Sequence, residues 1–230
     1  MRVLIIGAGG HGQVVADILL AMHREGSPLY PIGYVDDDPA MWGKLPLNLP
    51  VLGSSADVAR ISHDAVVIGI GNNRHRRVLF ESLTQQGEQF TTACHPTAVI
   101  SPHATLGIGC VVQARAVVNV GSSVGDNVIL NTGCSVDHHN QIGNHVHIAP
   151  GAHTGGDVVV GDGVLVGIGA TVMSGITVGI GGTVGAGAVV TRHVAPHTTV
   201  VGIPAQVVFP APIDTLLYST YVSDNASLGE

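Results

Sequence analysis

The chain has 230 residues and a formal charge of −7 at neutral pH. That charge gives no electrostatic pull toward nucleic acid or an anionic membrane surface, so neither is expected as a partner. Hydrophobic residues make up 45% of the chain but aromatic residues only 3%, so the core must be built from Val, Ile and Ala.

Residues 2–6 form a compact apolar run, followed by Gly7-Ala8-Gly9-Gly10-His11-Gly12. The run is too short for the apolar region of a signal peptide, and no stretch approaches the length of a membrane span. Residues 13–22 place Val14, Val15, Ile18 and Leu19 at helical spacing. Strand, tight turn and helix therefore follow one another. Gly7, Gly9 and Gly12 fit G-x-G-x-x-G in that context. Glycines let backbone N–H groups approach a phosphate, and the helix N-terminus adds a favourable dipole. A second strand over 31–35 ends in Asp36-Asp37-Asp38, where an acidic residue can hold a ribose hydroxyl. A third strand over 65–70 leads into Gly71-Asn72-Asn73-Arg74 and a helix over 75–86 that carries Arg76 and Arg77. Residues 1–92 thus read as a small α/β unit, about half of a dinucleotide fold. A half-fold suits one nucleotide better than NAD. Three uses of the glycines stay open: helix–strand packing alone, NAD, and a nucleotide-bearing substrate.

Residues 91–101 link to a region with a six-residue period. From Ile100 to Val190, every sixth residue is aliphatic except Thr154. A small residue stands four places later at Ala104, Cys110, Ala116, Ser122, Cys134, Ala152, Ala170 and Ala188. This period is neither helical nor a plain alternation, and it marks a hexapeptide β-helix. Each hexad supplies a short strand and a turn, and the rungs must stack to bury their aliphatic residues. The hexads decay after 190. Residues 191–208, with Pro196 and Pro204, read as an irregular cap with room for a short strand, and 209–230 fit neither pattern. Cys110 and Cys134 fall at small core positions, with Cys94 just ahead of the repeat. All three read as reduced and structural, which points to the cytoplasm.

Five histidines, His138, His139, His145, His147 and His153, crowd into less than one eighteen-residue coil. None is at the aliphatic position, so they should point outward or sit at corners. They could form a polar exterior, supply a general base near neutral pH, or bind zinc. No two of them are five residues apart, the ligand spacing of the γ-class carbonic anhydrases, so no metal is expected.

The chain resembles the bacterial sugar-nucleotide acetyltransferases of the hexapeptide family, which act in bacillosamine, perosamine and sialic acid chemistry. The likeness covers residues 1–208. It rests on GAGGHG at 7–12, YVDDD at 34–38, IGIGNNR at 68–74, HPTAVISP at 95–102, LNTGCSVDHH at 130–139, IGNHVHIAPGAHTGG at 142–156 and VGIPA at 201–205. It implies an N-terminal Rossmann-like domain over 1–92 that binds a nucleotide sugar. A left-handed β-helix acetyltransferase domain with its cap would follow over 93–208, assembled as a homotrimer with active sites between subunits. Acetyl-CoA would be the co-substrate and His138 the catalytic base, with His139 and Asn131 beside it. His147, Gly156, Ile168 and Ala186 would meet acetyl-CoA, with the Gly156 amide near the thioester carbonyl. Gly9, Gly10, His11, Asp36, Asp37, Asn72 and Arg74 would form the sugar-nucleotide pocket.

Two departures stand out. His139 occupies the place where the family usually has Glu or Asp, leaving Asp137 as a possible substitute. Gln206 occupies the place of a basic residue after VGIPA, with Arg192 the nearest alternative in sequence. The expected activity is N-acetylation of a nucleotide-linked amino sugar, a UDP-4-amino-4,6-dideoxy sugar by overall likeness and GDP-perosamine as an alternative. O-acetylation of sialic acid or a related sugar, and non-catalytic nucleotide binding, are the competing readings.

Overall fold

A computed structural model of the chain describes residues 1–210, with side chains through 208; the rest of the tail at 209–230 lies outside the described residues. β1 (Arg2–Ile6), β2 (Tyr30–Val35) and β3 (Ala65–Ile68) form a parallel sheet in the order β2-β1-β3. α1 (Gly10–Arg24) follows β1, and α2 (Asn73–Gln85) follows β3. The neighbours of β1 lie on opposite sides of it, so the strand order switches at its C-terminal end. Ligands of open α/β sheets bind at such a crevice.

α1 starts three residues earlier than the hydrophobic spacing predicts. Gly9 acts as its N-cap, and Gln13 N–H already donates to Gly9 C=O at 3.0 Å. Gly12 therefore lies within the helix. A Cβ there would overlap the Gly7 carbonyl, so this glycine serves close packing of helix on strand. Gly9 and Gly10 are exposed and border open space. Of the glycine uses left open by sequence, packing accounts for Gly12 but not for Gly9 and Gly10.

The hexads fold as a parallel solenoid of two-residue strands on three faces. Face I runs through Ala93–Cys94, Val111–Val112, Ile129–Leu130, His147–Ile148, Leu165–Val166 and Thr183–Val184. Face II includes Val117–Val118, Ser135–Val136, His153–Thr154 and Thr171–Val172. Face III includes Ser123–Val124, Gln141–Ile142 and Val159–Val160. Residues eighteen apart pair directly, as Ile129 with His147 and Ser135 with His153. The second residue of each strand points inward, so Val112, Leu130, Val136, Ile148, Val166 and Val184 are fully buried. Cys110, Ala116, Cys134, Ala152, Ala170 and Ala188 fill the space between them. The cap is more ordered than the sequence suggests: Thr198–Val201 extends face I, and Gln206–Pro210 pairs antiparallel to it.

The α/β unit sits on the early rungs of face I. Ala93, Val111 and Ile129 occupy outward positions yet are buried, packed with Val15, Ile18, Leu19 and Tyr34. Past Ile129 the same outward positions become His147, Leu165 and Thr183, where face I emerges from beneath that unit.

Arg76 fastens the two units. It is 1% exposed, and its guanidinium donates only to backbone carbonyls. Nε reaches Asn127 at 3.1 Å, one terminal nitrogen reaches His145 at 2.8 Å, and the other meets Ile70 and Gly71. Burial lowers its pKa to about 10, still charged at neutral pH. The hexad pattern places His145 outward or at a corner, and this packing adds a burial that neither alternative includes. It does sit at a corner, with φ +59°, but it is buried beneath Phe80 and bonded to Asn127 at 2.9 Å.

Candidate active site

Asn131 leaves face I at a corner, and His147 stands on the strand stacked above. Thr132 N–H donates to Asn131 Oδ1 at 2.8 Å, which turns the amide nitrogen toward His147 Nε2, 3.0 Å away. Nε2 is therefore the acceptor, and the ring is the neutral tautomer protonated on Nδ1. Burial, Arg76 and then His11 push the His147 pKa down to about 3. Burial and Arg76 lower that of His11 to about 4. The two rings lie 6.4 Å apart, so the glycine loop of the α/β unit reaches the solenoid site.

These depressed values make stability depend on pH. The folded pKa values lie below the ordinary 6.5, so the unfolded chain binds more protons between them. Stability is full above pH about 6.5 and falls as the pH drops through that window. Between pH 7.5 and 5.0 the loss should be on the order of 2 kcal/mol for each ring. Thermal melts across this range should show it, and His147→Asn should flatten the slope; a flat wild-type profile would refute the assignment.

Asn131 and His147 line a groove of about 820 Å³ between the solenoid and the α2 end of the α/β unit. Asn72 and Arg74 border it on one side, and Ile168 and Ala186 border it on the other. Asn73 ties the two walls together, its amide donating to Gly163 and Val164 carbonyls at 3.1 and 3.0 Å. A second, smaller hollow of about 70 Å³ lies at the strand ends, lined by Gly7, Asp36, Asp37 and Ser55. Asp36 already accepts from Ala8 and Asp38 N–H, and Asp37 accepts from both Ser55 groups. These carboxylates shape the hollow as well as offering acceptors to a ligand.

His138 and His139 lie on a different corner, between faces II and III. Both are exposed, and their Nδ1 atoms are 3.1 Å apart. One proton fits between them, so when His138 donates it, His138 Nε2 keeps its lone pair. His139 has φ +55°, a turn position filled by Gly121 one coil earlier. Its ring is thereby aimed at His138. Asp137 does not take the role of the missing acid. Its carboxylate accepts from Asn119 and from His138 N–H, at 2.8 and 2.7 Å, and makes no hydrogen bond to the imidazole. The His138 ring covers Gly156 in the coil above, where a Cβ would overlap it. His138, His139 and Asp157 each offer an atom within 4.8 Å of the others, the one such group among the described residues. All three are exposed, and a cation there would occupy lone pairs that proton transfer needs.

Within one chain, Asn131 lies on the groove corner and His138 on the next. Cys110 and Cys134 are fully buried, with thiols pushed up to about 11 and about 12, which removes both as nucleophiles. Sequence reasoning missed two residues: Arg76, noted only as a helix residue, and Asn140. Asn140 is a polar side chain at a small-residue core position, a signal present in the hexad pattern.

An α/β unit seated on a hexapeptide solenoid, with histidines at adjacent corners, defines a hexapeptide-repeat acyltransferase architecture. Residues 2–83 match the PglD N-terminal domain. The acetyltransferase domain of PglB from Neisseria gonorrhoeae FA1090, solved with acetyl coenzyme A, is 37% identical over 90% of this chain and 98% of its own, with a TM-score of 0.83. PerB from Caulobacter crescentus, solved with CoA and GDP-perosamine, is 35% identical over 91% and 98%, also with a TM-score of 0.83. The UDP-N-acetylbacillosamine N-acetyltransferase of Bacillus subtilis (strain 168) is 34% identical over 116 residues, 49% of this chain and 51% of that one. The match thus spans about half the length of this curated relative. The chain belongs to the bacterial sugar-nucleotide acetyltransferases of the hexapeptide-repeat family.

Proposed function

We propose that the chain transfers the acetyl group of acetyl-CoA to the amine of a nucleotide-linked amino sugar used in bacterial glycan synthesis. The observation that carries this reading is the groove of about 820 Å³, which joins the Asn72–Arg74 loop to Asn131, His147, Ile168 and Ala186. One wall comes from a nucleotide-type α/β unit and the other from the solenoid. In this reading the α/β unit is a Rossmann-like cradle that presents the sugar, and the β-helix winds left-handed. His138 sits one corner away from the groove, which fits a cytoplasmic homotrimer whose active site pairs the groove of one subunit with His138 of the next.

The chemistry requires little machinery. The neutral amine nitrogen attacks the thioester carbonyl carbon, and the carbonyl electron pair moves to oxygen. His138 takes a proton from the nitrogen, and Gly156 N–H meets the oxyanion. The carbonyl re-forms, the C–S bond breaks, and the CoA thiolate takes the proton from the imidazolium. The two relatives that carry substrate names point to a UDP- or GDP-linked amino sugar, and the UDP-4-amino-4,6-dideoxy sugar is the reading adopted. A hydroxyl acceptor would need stronger base support than an imidazole in the place of a carboxylate supplies, which disfavours O-acetylation.

Thermal-shift titration separates these readings. Acetyl-CoA and a UDP- or GDP-4-amino sugar should each raise the melting temperature, while NAD should not. At a ligand concentration of about 100 Kd the stabilisation should be about 2.7 kcal/mol. Stabilisation by NAD alone, or by CMP-sialic acid with no amino-sugar response, would overturn the proposal.

A further inference from the structure

We propose that Asn140, inside the solenoid, is the positioning residue that sets both the catalytic base and the oxyanion donor; this rests on the acetyltransferase reading above. Asn140 is fully buried at a hexad position that elsewhere carries Ala, Cys, Val, Ile or Gly, with Ser122 one coil below the other polar side chain there. Its Nδ2 lies 2.7 Å from the Asp137 carbonyl, 3.2 Å from that of His138 and 2.8 Å from that of Gly155. One amide thus spans two coils and holds the turn that carries His138 against the turn that carries Gly156. Ser122 braces the same corner from below, donating to the Asp137 carbonyl at 2.6 Å and accepting from Asn140 N–H at 3.0 Å. Apolar neighbours at this hexad position, such as Val128, Val146, Val158 and Val164, have no such reach.

The bond to Gly155 has a directional consequence. A trans peptide sets its C=O and the following N–H on opposite sides. Asn140 draws the Gly155 carbonyl into the core, and this is that carbonyl's sole hydrogen bond among the described residues. The Gly156 N–H must then face away from the core, and the His138 ring packs against the Cα of the same residue. It donates to no group among the described residues, although its neighbours Gly155 and Asp157 both do. A free N–H held outward beside the base is what a developing oxyanion requires, and its direction costs no reorganisation during the reaction. Without Asn140, the Gly155–Gly156 peptide can turn its carbonyl out and lose that donor.

The test uses the full-length enzyme with acetyl-CoA and its amino-sugar substrate. Asn140→Val restores the side chain found elsewhere at this position. It should keep the solenoid folded by circular dichroism but lower kcat about 10²-fold, the usual effect of losing an oxyanion donor. KM for both substrates should change less than about threefold, because ground-state binding does not use the donor. Asn140→Ser keeps one donor and should recover part of kcat; it also serves if the Val variant fails to fold. A folded Val or Ser variant with wild-type kcat would overturn the role of Asn140. Loss confined to KM, or no gain from Ser over Val at equal stability, would mean a purely structural residue and would also overturn it. Turnover by His138→Ala near wild type would instead overturn the acetyltransferase mechanism on which the inference stands.

Discussion

Replacing His138 with Ala is expected to remove nearly all acetyl transfer, lowering kcat by about 10²–10⁴. The fold should survive, because the side chain is exposed and its contacts are His139 and the face of Gly156. The backbone bonds of this turn, to Asp137 Oδ1 and from Asp157 N–H, do not involve the ring. Binding of the nucleotide sugar should persist, since the Asn72–Arg74 wall lies on another corner. Steady-state kinetics beside a melting curve decide the matter, and near-normal turnover would refute the base. His139→Glu should keep activity in the same assay. A carboxylate at that turn can accept a hydrogen bond from His138 Nδ1–H and would also favour the imidazolium. A large loss would show that His139 has chemistry of its own.

Arg76→Met is expected to produce the largest loss of stability. The guanidinium serves five carbonyls, and those of Asn127, Ile70 and His145 make no other hydrogen bond among the described residues. Leaving buried acceptors unpaired costs about 1–3 kcal/mol each, so for three carbonyls a total of at least roughly 3 kcal/mol is expected. Arg76→Lys should rescue little, because a point ammonium cannot bridge carbonyls on α2's approach and on two coils at once. Differential scanning calorimetry would register the change, and a shift under about 1 kcal/mol would show that apolar packing alone holds the units together. Arg76 also helps keep His147 and His11 neutral, so loss of its charge should raise both values toward the ordinary range.

What could be read in advance follows from the range of each interaction. The hexads are local and repeated, so Val112 or Leu130 could be assigned inward without any knowledge of its neighbours. The α/β pattern was similarly plain, although the packing duty of Gly12 moved the helix start to Gly10. The site was legible as a set of positions but not as an arrangement. Pairing of Asn131 with His147 depends on which coil lies above which, as does the cover of Gly156 by His138. His145 looked like any corner residue until the α/β unit was laid over it. Asn140 was hidden by attention to the aliphatic series, where Thr154 is the visible exception, while the small-residue series held an equally informative break. Asp137 shows the opposite case: a carboxylate adjacent in sequence that the turn geometry directs elsewhere.

The stacking of Ser135 on His153, eighteen residues on, also limits how such a chain can change in length. Three hexads complete one circuit, so a single extra hexad rotates everything after it by a third of a turn. Inserted between His139 and Gly156, it would leave the aliphatic rhythm unbroken and the core as apolar as before. Gly156 would nevertheless arrive on the wrong edge, and His138 would face a different residue. An insertion of eighteen would carry Gly156 back to its own edge but one storey higher, out of reach of the His138 ring that now covers it. Insertions beyond the cap side of the site escape this rule, since nothing below them is displaced. Lineages of this architecture are therefore free to grow at the end of the stack, while the span from His138 to Gly156 is fixed in length.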